Sequence, residues 1–214
     1  MIAKVFIRAV VIGAVLWAVP AGAKTVLGVA IPAGGGIEDG LKVLDILAHH
    51  PSTARFIARK LAERFVADNP PQPLVDRMTA TFRKTGGDIR AVLKTMFDSR
   101  EFWSVGAYRC KMKSPFEMVV SAVRGAAGEV DYAQGLANWV ARMGQPLYRK
   151  LEPTGYSNSG QEWMNSAGLL ARMNFAVQLA DNRLPGIKVD AVPPESAGEP
   201  AAGIAFGSPE FQKR

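Results

Sequence analysis

What most constrains this chain is a succession of short helical stripes, each closed by proline or glycine. Between residues 40 and 180, apolar side chains recur at the three- and four-residue spacing of one helix face, and almost every stripe carries its own start or stop signal. Residues 38–50 read as a helix with Leu41, Leu44 and Ala48 on one face. Pro51 ends it and opens a second, whose expected stripe is Phe56, Ile57, Leu61 and Phe65. Asn69-Pro70-Pro71 stops that helix, and Pro73 begins a third with Leu74, Val75, Met78 and Phe82 in register. Gly86-Gly87 closes the third, and Asp88 stands as an N-cap before Ile89, Val92, Leu93, Met96 and Phe97.

The second half repeats the grammar. Ser114-Pro115-Phe116-Glu117 is a capping box with proline in the first turn, ahead of a core face of Phe116, Val119, Val120, Val123 and Ala127. Residues 131–143 read as a helix, 144–159 as a loop and 161–164 as a single helical turn. Residues 166–180 form the last strong helix, with Leu169, Leu170, Met173 and Val177 expected inward. Residues 99–103 are expected to add one more helical turn, 24–40 to be loop, and Ser208-Pro209-Glu210-Phe211 to start a final turn. No stretch shows clean period-two alternation bounded by hairpin turns. The expected class is therefore all-α: an irregular multi-helix bundle of short amphipathic helices joined by Gly/Pro-rich loops. The organisation that follows is a leader at 1–23, a helical domain at 24–183, and a Pro/Gly-rich linker with a short C-terminal turn at 184–214.

The leader rests on three parts in order: the cations Lys4 and Arg8, an apolar run from 9 to 19, and Pro20 ahead of the small residues Ala21-Gly22-Ala23. That is the pattern of an export signal, and the apolar run is too short for a bilayer span of ~20 residues. The expectation is a periplasmic or secreted protein beginning near Lys24, with no integral membrane span once the signal is removed. Removal also lowers the formal charge of +7 by two. The remaining cations are scattered along helix faces, without the Lys/Arg block that follows a phosphate backbone, so no nucleic-acid partner is expected. The single cysteine, Cys110, cannot form an internal disulfide.

Several motifs in fixed order carry a resemblance: His49-His50-Pro51-Ser52-Thr53-Ala54-Arg55-Phe56; Phe82-Arg83-Lys84-Thr85-Gly86-Gly87-Asp88-Ile89-Arg90; Ser99-Arg100-Glu101-Phe102-Trp103; Lys113-Ser114-Pro115-Phe116-Glu117; Pro153-Thr154-Gly155-Tyr156; Leu170-Ala171-Arg172-Met173-Asn174-Phe175; and Ser208-Pro209-Glu210-Phe211-Gln212. From about residue 24 onward the chain resembles the C-terminal half of the bacterial family catalogued as domain of unknown function 1800. The resemblance implies a mainly helical, often exported protein without an established activity, and it carries over no catalytic residues. It also implies a co-encoded exported protein as partner. Members of that family are roughly twice this long, so a short exported form and a fragment are both open. In a fragment, residues near Phe65, Phe82, Phe97 and Phe102 would be left partly open, favouring self-association.

Chemistry is sparse. His49 and His50 are adjacent, point ~100° apart on a helix, and have no cysteine or histidine cluster to complete a metal site. His50 is expected simply to sit at a helix end. No Gly-x-Ser-x-Gly elbow is present, and no pattern sets two carboxylates beside a proton relay. No metal or cofactor is expected. Residues 153–175 are the richest region, placing Tyr156, Trp163, Arg172 and Asn174 around a Gly/Pro/Ser loop that feeds a helix. These four are candidate binding residues, with Arg172 able to clamp an anion. The alternative is that Tyr156 and Trp163 pin the loop and Arg172 pairs internally. Two functions are open: a binding or assembly module, and an exported hydrolase-like enzyme whose site needs a further N-terminal half and in which Glu162 or Arg172 would act.

Overall fold

The computed structural model describes residues 22–189 and 205–214. The apolar run of the leader and the middle of the linker lie outside the described residues. Helices dominate, but the expected all-α class is corrected to mostly helical: two small two-stranded antiparallel sheets are present, and no larger sheet occurs among the described residues. The chain forms two compact units. One comprises the residues through Phe65 together with Asn69–Trp103, and the other Val66–Asp68 with Ser104–Arg214.

The first unit opens with β1 (Lys24–Val26) and β2 (Val29–Ile31), where a loop was expected. Leu27 and Gly28 make the connection with φ of 48° and 82°. Two successive positive φ values define the tight hairpin turn whose twist matches the strands, and the second position suits glycine. Strands of three residues are too short to show an alternation in sequence. Lys24 ties the hairpin to α1 (Ile37–His49) through a 2.8 Å ion pair with the buried Asp39.

The next three helices are α2 (Pro51–Phe65), α3 (Gln72–Lys84) and α4 (Ile89–Phe97). The expected inward face of α3 is the buried one: Leu74, Val75, Met78 and Phe82. Gly86 and Gly87, with φ of 62° and 88°, close it as expected, and the Gly87 N–H donates to the Phe82 carbonyl at 2.9 Å. Asp88 caps α4, accepting from the Arg90 and Ala91 N–H groups. The expected face of α2 needs correction. Its buried residues are Ala54, Ala58 and Ala62, while Phe56 and Phe65 are exposed and Ile57 and Leu61 half-buried. Three alanines spaced by four form a flat seam on which the bulkier α3 can pack closely, so volume rather than hydrophobicity selects the face. The Thr81 and Thr95 hydroxyls meet at 3.0 Å between α3 and α4. Residues 99–103 form turns instead of the expected helical turn.

The second unit is built on α5 (Pro115–Gly125), α6 (Gln134–Arg142) and α7 (Ser166–Ala180), with a 3-10 turn at Gly160–Trp163. The capping box forms as the sequence predicts: Ser114 Oγ accepts from the Glu117 N–H, and Glu117 accepts from the Ser114 N–H. The buried face of α5 is Met118, Val119, Ala122 and Val123. Phe116 and Ala127, expected inward, are exposed, and Val120 is half-buried. α6 begins later than expected because Glu129–Val130 (β3) pairs with Ile187–Lys188 (β4). Trp139 and Phe175 meet at the centre of the core, their ring centroids 5.7 Å apart. Phe206, from beyond the expected linker, is buried in the same cluster.

The largest correction falls on α7. Leu170, Met173 and Val177 point outward, and Leu169 is half-buried. The buried side is Gly168, Arg172, Phe175, Ala176 and Leu179. Two aliphatic stripes compete on this helix, and the winning one includes Phe175, whose ring fills more volume than Met173 or Val177 can.

Candidate functional site

The richest region in sequence, residues 144–175, is held down by its own polar groups. Tyr156 Oη donates to the Pro146 carbonyl at 2.5 Å, and its ring lies 6.1 Å from that of the buried Trp163. Asp68 accepts the Gly160 N–H at 2.8 Å on one oxygen and the Lys111 ammonium on the other. Lys111, buried except for 3% of its surface, also donates to the Asn158 carbonyl at 2.9 Å. Burial works against ionisation of Asp68. The Lys111 and Gly160 hydrogen bonds and the charges of Lys111 and Arg214 outweigh it, leaving the carboxyl below its ordinary range. Gly160 is required sterically, since a Cβ there would sit 2.9 Å from Met112 Cγ.

The structure brings Tyr156 and Trp163 together but not all four candidates. Arg172 is fully buried: Nη1 donates to Gln212 Oε1 at 2.6 Å and Nη2 to the Lys113 carbonyl at 2.8 Å, while Nε has no partner. Burial pushes its pKa down to about 10. A ligand would reach this guanidinium only after Gln212 or the Lys113 carbonyl gave way. Asn174 lies on the exposed side of α7.

Sequence reasoning missed a groove of about 410 Å³ on the outer side of α5, lined by Lys113, Phe116, Glu117, Val120, Ser121, Arg124 and Arg214. Glu117, Val120, Ser121 and Arg124 fall at the i, i+3, i+4 and i+7 spacing of one helix face, a signal that was legible. Glu117 is occupied twice, by the Ser114 N–H at 2.9 Å and by Arg214 Nη1 at 3.2 Å. The Lys113 ammonium lies 3.5 Å from the centroid of the Phe211 ring. Burial, with Arg109 and Arg172 nearby, pushes the Lys113 pKa down to about 8 against the opposing pull of Glu117.

The two histidines serve helix ends. His49 Nδ1 lies 2.9 Å from the Asp45 carbonyl, and His50 Nδ1 accepts the Ser52 N–H at 3.2 Å in the first turn of α2. Cys110 Sγ lies 3.1 Å from the Val66 carbonyl. Among the described residues no three His, Cys, Asp or Glu side chains are grouped to hold a metal ion, and no helix is long and apolar enough to cross a membrane.

These features define a mostly helical protein with an internally pinned loop between its last two helices. Over residues 18–212 the chain matches the model of a family described as protein of unknown function DUF1800, and it belongs to that family. No curated protein and no solved structure matches it.

Proposed function

We propose that the protein is an exported binding and assembly module that docks another exported, co-encoded protein through an aromatic surface on its first unit. One observation carries this reading. Phe65, Phe97, Phe102 and Trp103 stand in consecutive edge-to-face contact, with centroid spacings of 6.2, 5.0 and 5.1 Å. Phe65 and Phe97 are exposed, and Trp103 is 76% exposed with its indole N–H fixed on the Phe97 carbonyl at 2.7 Å. Of the four phenylalanines expected to stand open, Phe82 is instead buried against the core of its unit. Contiguous rigid aromatics on a surface are the side chains that dominate protein–protein binding energy. The positive charge left on the mature chain, two below the full-length +7, disfavours a second copy as the occupant and favours a partner with an acidic rim. No specific observation favours the hydrolase alternative.

The test mixes this protein with the exported protein encoded beside it, both purified, and measures affinity by calorimetry. Trp103→Ala should weaken binding about thirtyfold, the loss of a ~2 kcal/mol hot spot. Equal affinity for wild type and variant, or a mass by light scattering that shows only self-association, overturns the reading. Export is checked separately by N-terminal sequencing of the mature protein, which should begin near Lys24.

A further inference from the structure

The groove on α5 contains an imbalance that packing alone does not explain. Its one acid, Glu117, is engaged by the helix cap and by Arg214. Neither Lys113 nor Arg124 makes an ion pair among the described residues, yet both line the same groove. Lys113 is half-buried, so its ammonium has lost part of its water and gained in return the face of Phe211 and a share of Glu117, whose charge Arg214 already engages. A desolvated cation that only shares a counter-charge is under-compensated, and a ring face offsets only part of the cost. Phe116 and Val120 supply the apolar lining of the groove, and Ser121 lines it as well. Phe116 is exposed although it opens a helix whose other large apolar residues are buried or, for Val120, half-buried. The groove therefore offers positive charge and apolar surface together, at a volume within the ordinary range for small-molecule sites.

We propose that this groove binds a small amphipathic anion, an alkyl carboxylate whose charged end meets Lys113 and whose hydrocarbon part lies along Phe116 and Val120, with Arg124 adding positive charge further along the helix. The carboxylate supplies Lys113 with a counter-charge of its own, and Arg124, about three helical turns further along α5, adds a longer-range attraction. Glu117, held by Arg214, sets a limit on the ligand: a second negative charge would be repelled, so a monoanion is preferred. The groups facing Lys113 are Arg109, Arg172 and Glu117, with Arg124 and Arg214 elsewhere in the groove. Of these, Lys113 is the group whose charge changes in mildly alkaline solution, and affinity should follow it.

Calorimetry on the full chain decides the matter, with decanoate, decanol and acetate as probes at pH 7. Decanoate should bind measurably, and decanol and acetate at least tenfold more weakly. Lys113→Gln should weaken decanoate about tenfold, the equivalent of ~1.4 kcal/mol, and Arg124→Gln about two- to threefold. Arg124 is exposed on its helix, so that variant keeps its fold; an unchanged thermal melt verifies it. Wild-type affinity should fall between pH 7 and pH 9, below the range where Arg172 loses its charge and while decanoate stays ionised, and Lys113→Gln should show a flat profile. Equal binding of decanol and decanoate would reduce the groove to an apolar patch, and equal binding of acetate to a bare anion site. Either outcome overturns the proposal, as does the absence of decanoate binding.

Discussion

Helices α3 and α7 both present a clear apolar stripe in sequence, and they fold in opposite senses. α3 buries its stripe of Leu74, Val75, Met78 and Phe82. α7 turns Leu170, Met173 and Val177 outward and buries an arginine instead. The difference lies in what each helix must satisfy. α3 packs against the flat alanine seam of α2, where any well-shaped apolar face gains by burial. α7 must fill the space beside Trp139 with Phe175 and also anchor the chain at Lys113 and Gln212 through Arg172. A polar anchor with two good hydrogen bonds and a large aromatic ring outweigh three smaller aliphatic side chains.

The strongest way to break this contrast is to remove the anchor. Arg172→Met keeps the apolar stem and deletes the guanidinium, leaving Gln212 Oε1 and the Lys113 carbonyl without their donors. We expect a loss of roughly 3–4 kcal/mol and faster hydrogen exchange across residues 111–113 and 206–214, because unsatisfied buried partners cost more than the bond itself returned. A variant as stable as wild type would show that the aromatic packing alone sets the orientation of α7. In α3 the matching experiment is Met78→Ala, a fully buried deletion expected to cost about 2–4 kcal/mol by denaturant melt.

How much of this was readable depended on the range of the interactions. The capping box at Ser114, the Asp88 cap and the Gly86-Gly87 stop are local, involving residues two to five apart, and the sequence shows each of them. Tyr156 and Trp163 were likewise legible as a pair, being seven residues apart on one loop. The faces of α2 and α7 were not. A hydrophobic stripe ranks residues by transfer energy, whereas these faces were chosen by volume and by a distant polar partner. The groove was half legible: Glu117, Val120, Ser121 and Arg124 share a helix face, but Arg214 joins them only through the fold. β1 to β4, of two or three residues each, fall below the length at which alternation is a signal.

A pH experiment sharpens the comparison within the second unit, where another buried cation, Lys111, is matched by a true acid. The Asp68 carboxyl is held below its ordinary pKa in the folded chain. Its contribution to stability is therefore present above the unfolded value of about 3.9 and is lost as pH falls through the lower folded value. Asp68 is about a third exposed, so solvent screening keeps the effect modest. Protection against hydrogen exchange at residues 158–163, taken relative to the intrinsic amide rate at each pH, should fall on acidification below pH 4 in wild type. In Asp68→Asn protection should already be low at pH 6 and change little further; a wild-type-like acid response in that variant would remove Asp68 from the account.

The smallest expected effect is on the outward stripe of α7, and its smallness is the point. Met173 is 58% exposed and Leu170 60% exposed, so replacing either with serine removes little buried area. If the inverted orientation is right, Met173→Ser changes stability by no more than about 0.5 kcal/mol, as for an ordinary surface position. If instead α7 turned its aliphatic stripe inward in solution, the same substitution would introduce an unpaired hydroxyl and a cavity together, and would cost several times as much. Met78→Ser in α3 supplies the internal standard, since its site is fully buried and both penalties apply. The ratio of the two losses, measured by urea unfolding under one condition, reports directly on which way each helix faces. A ratio near one would mean that α3 and α7 follow the same rule and that the buried arginine does not set the orientation of its helix.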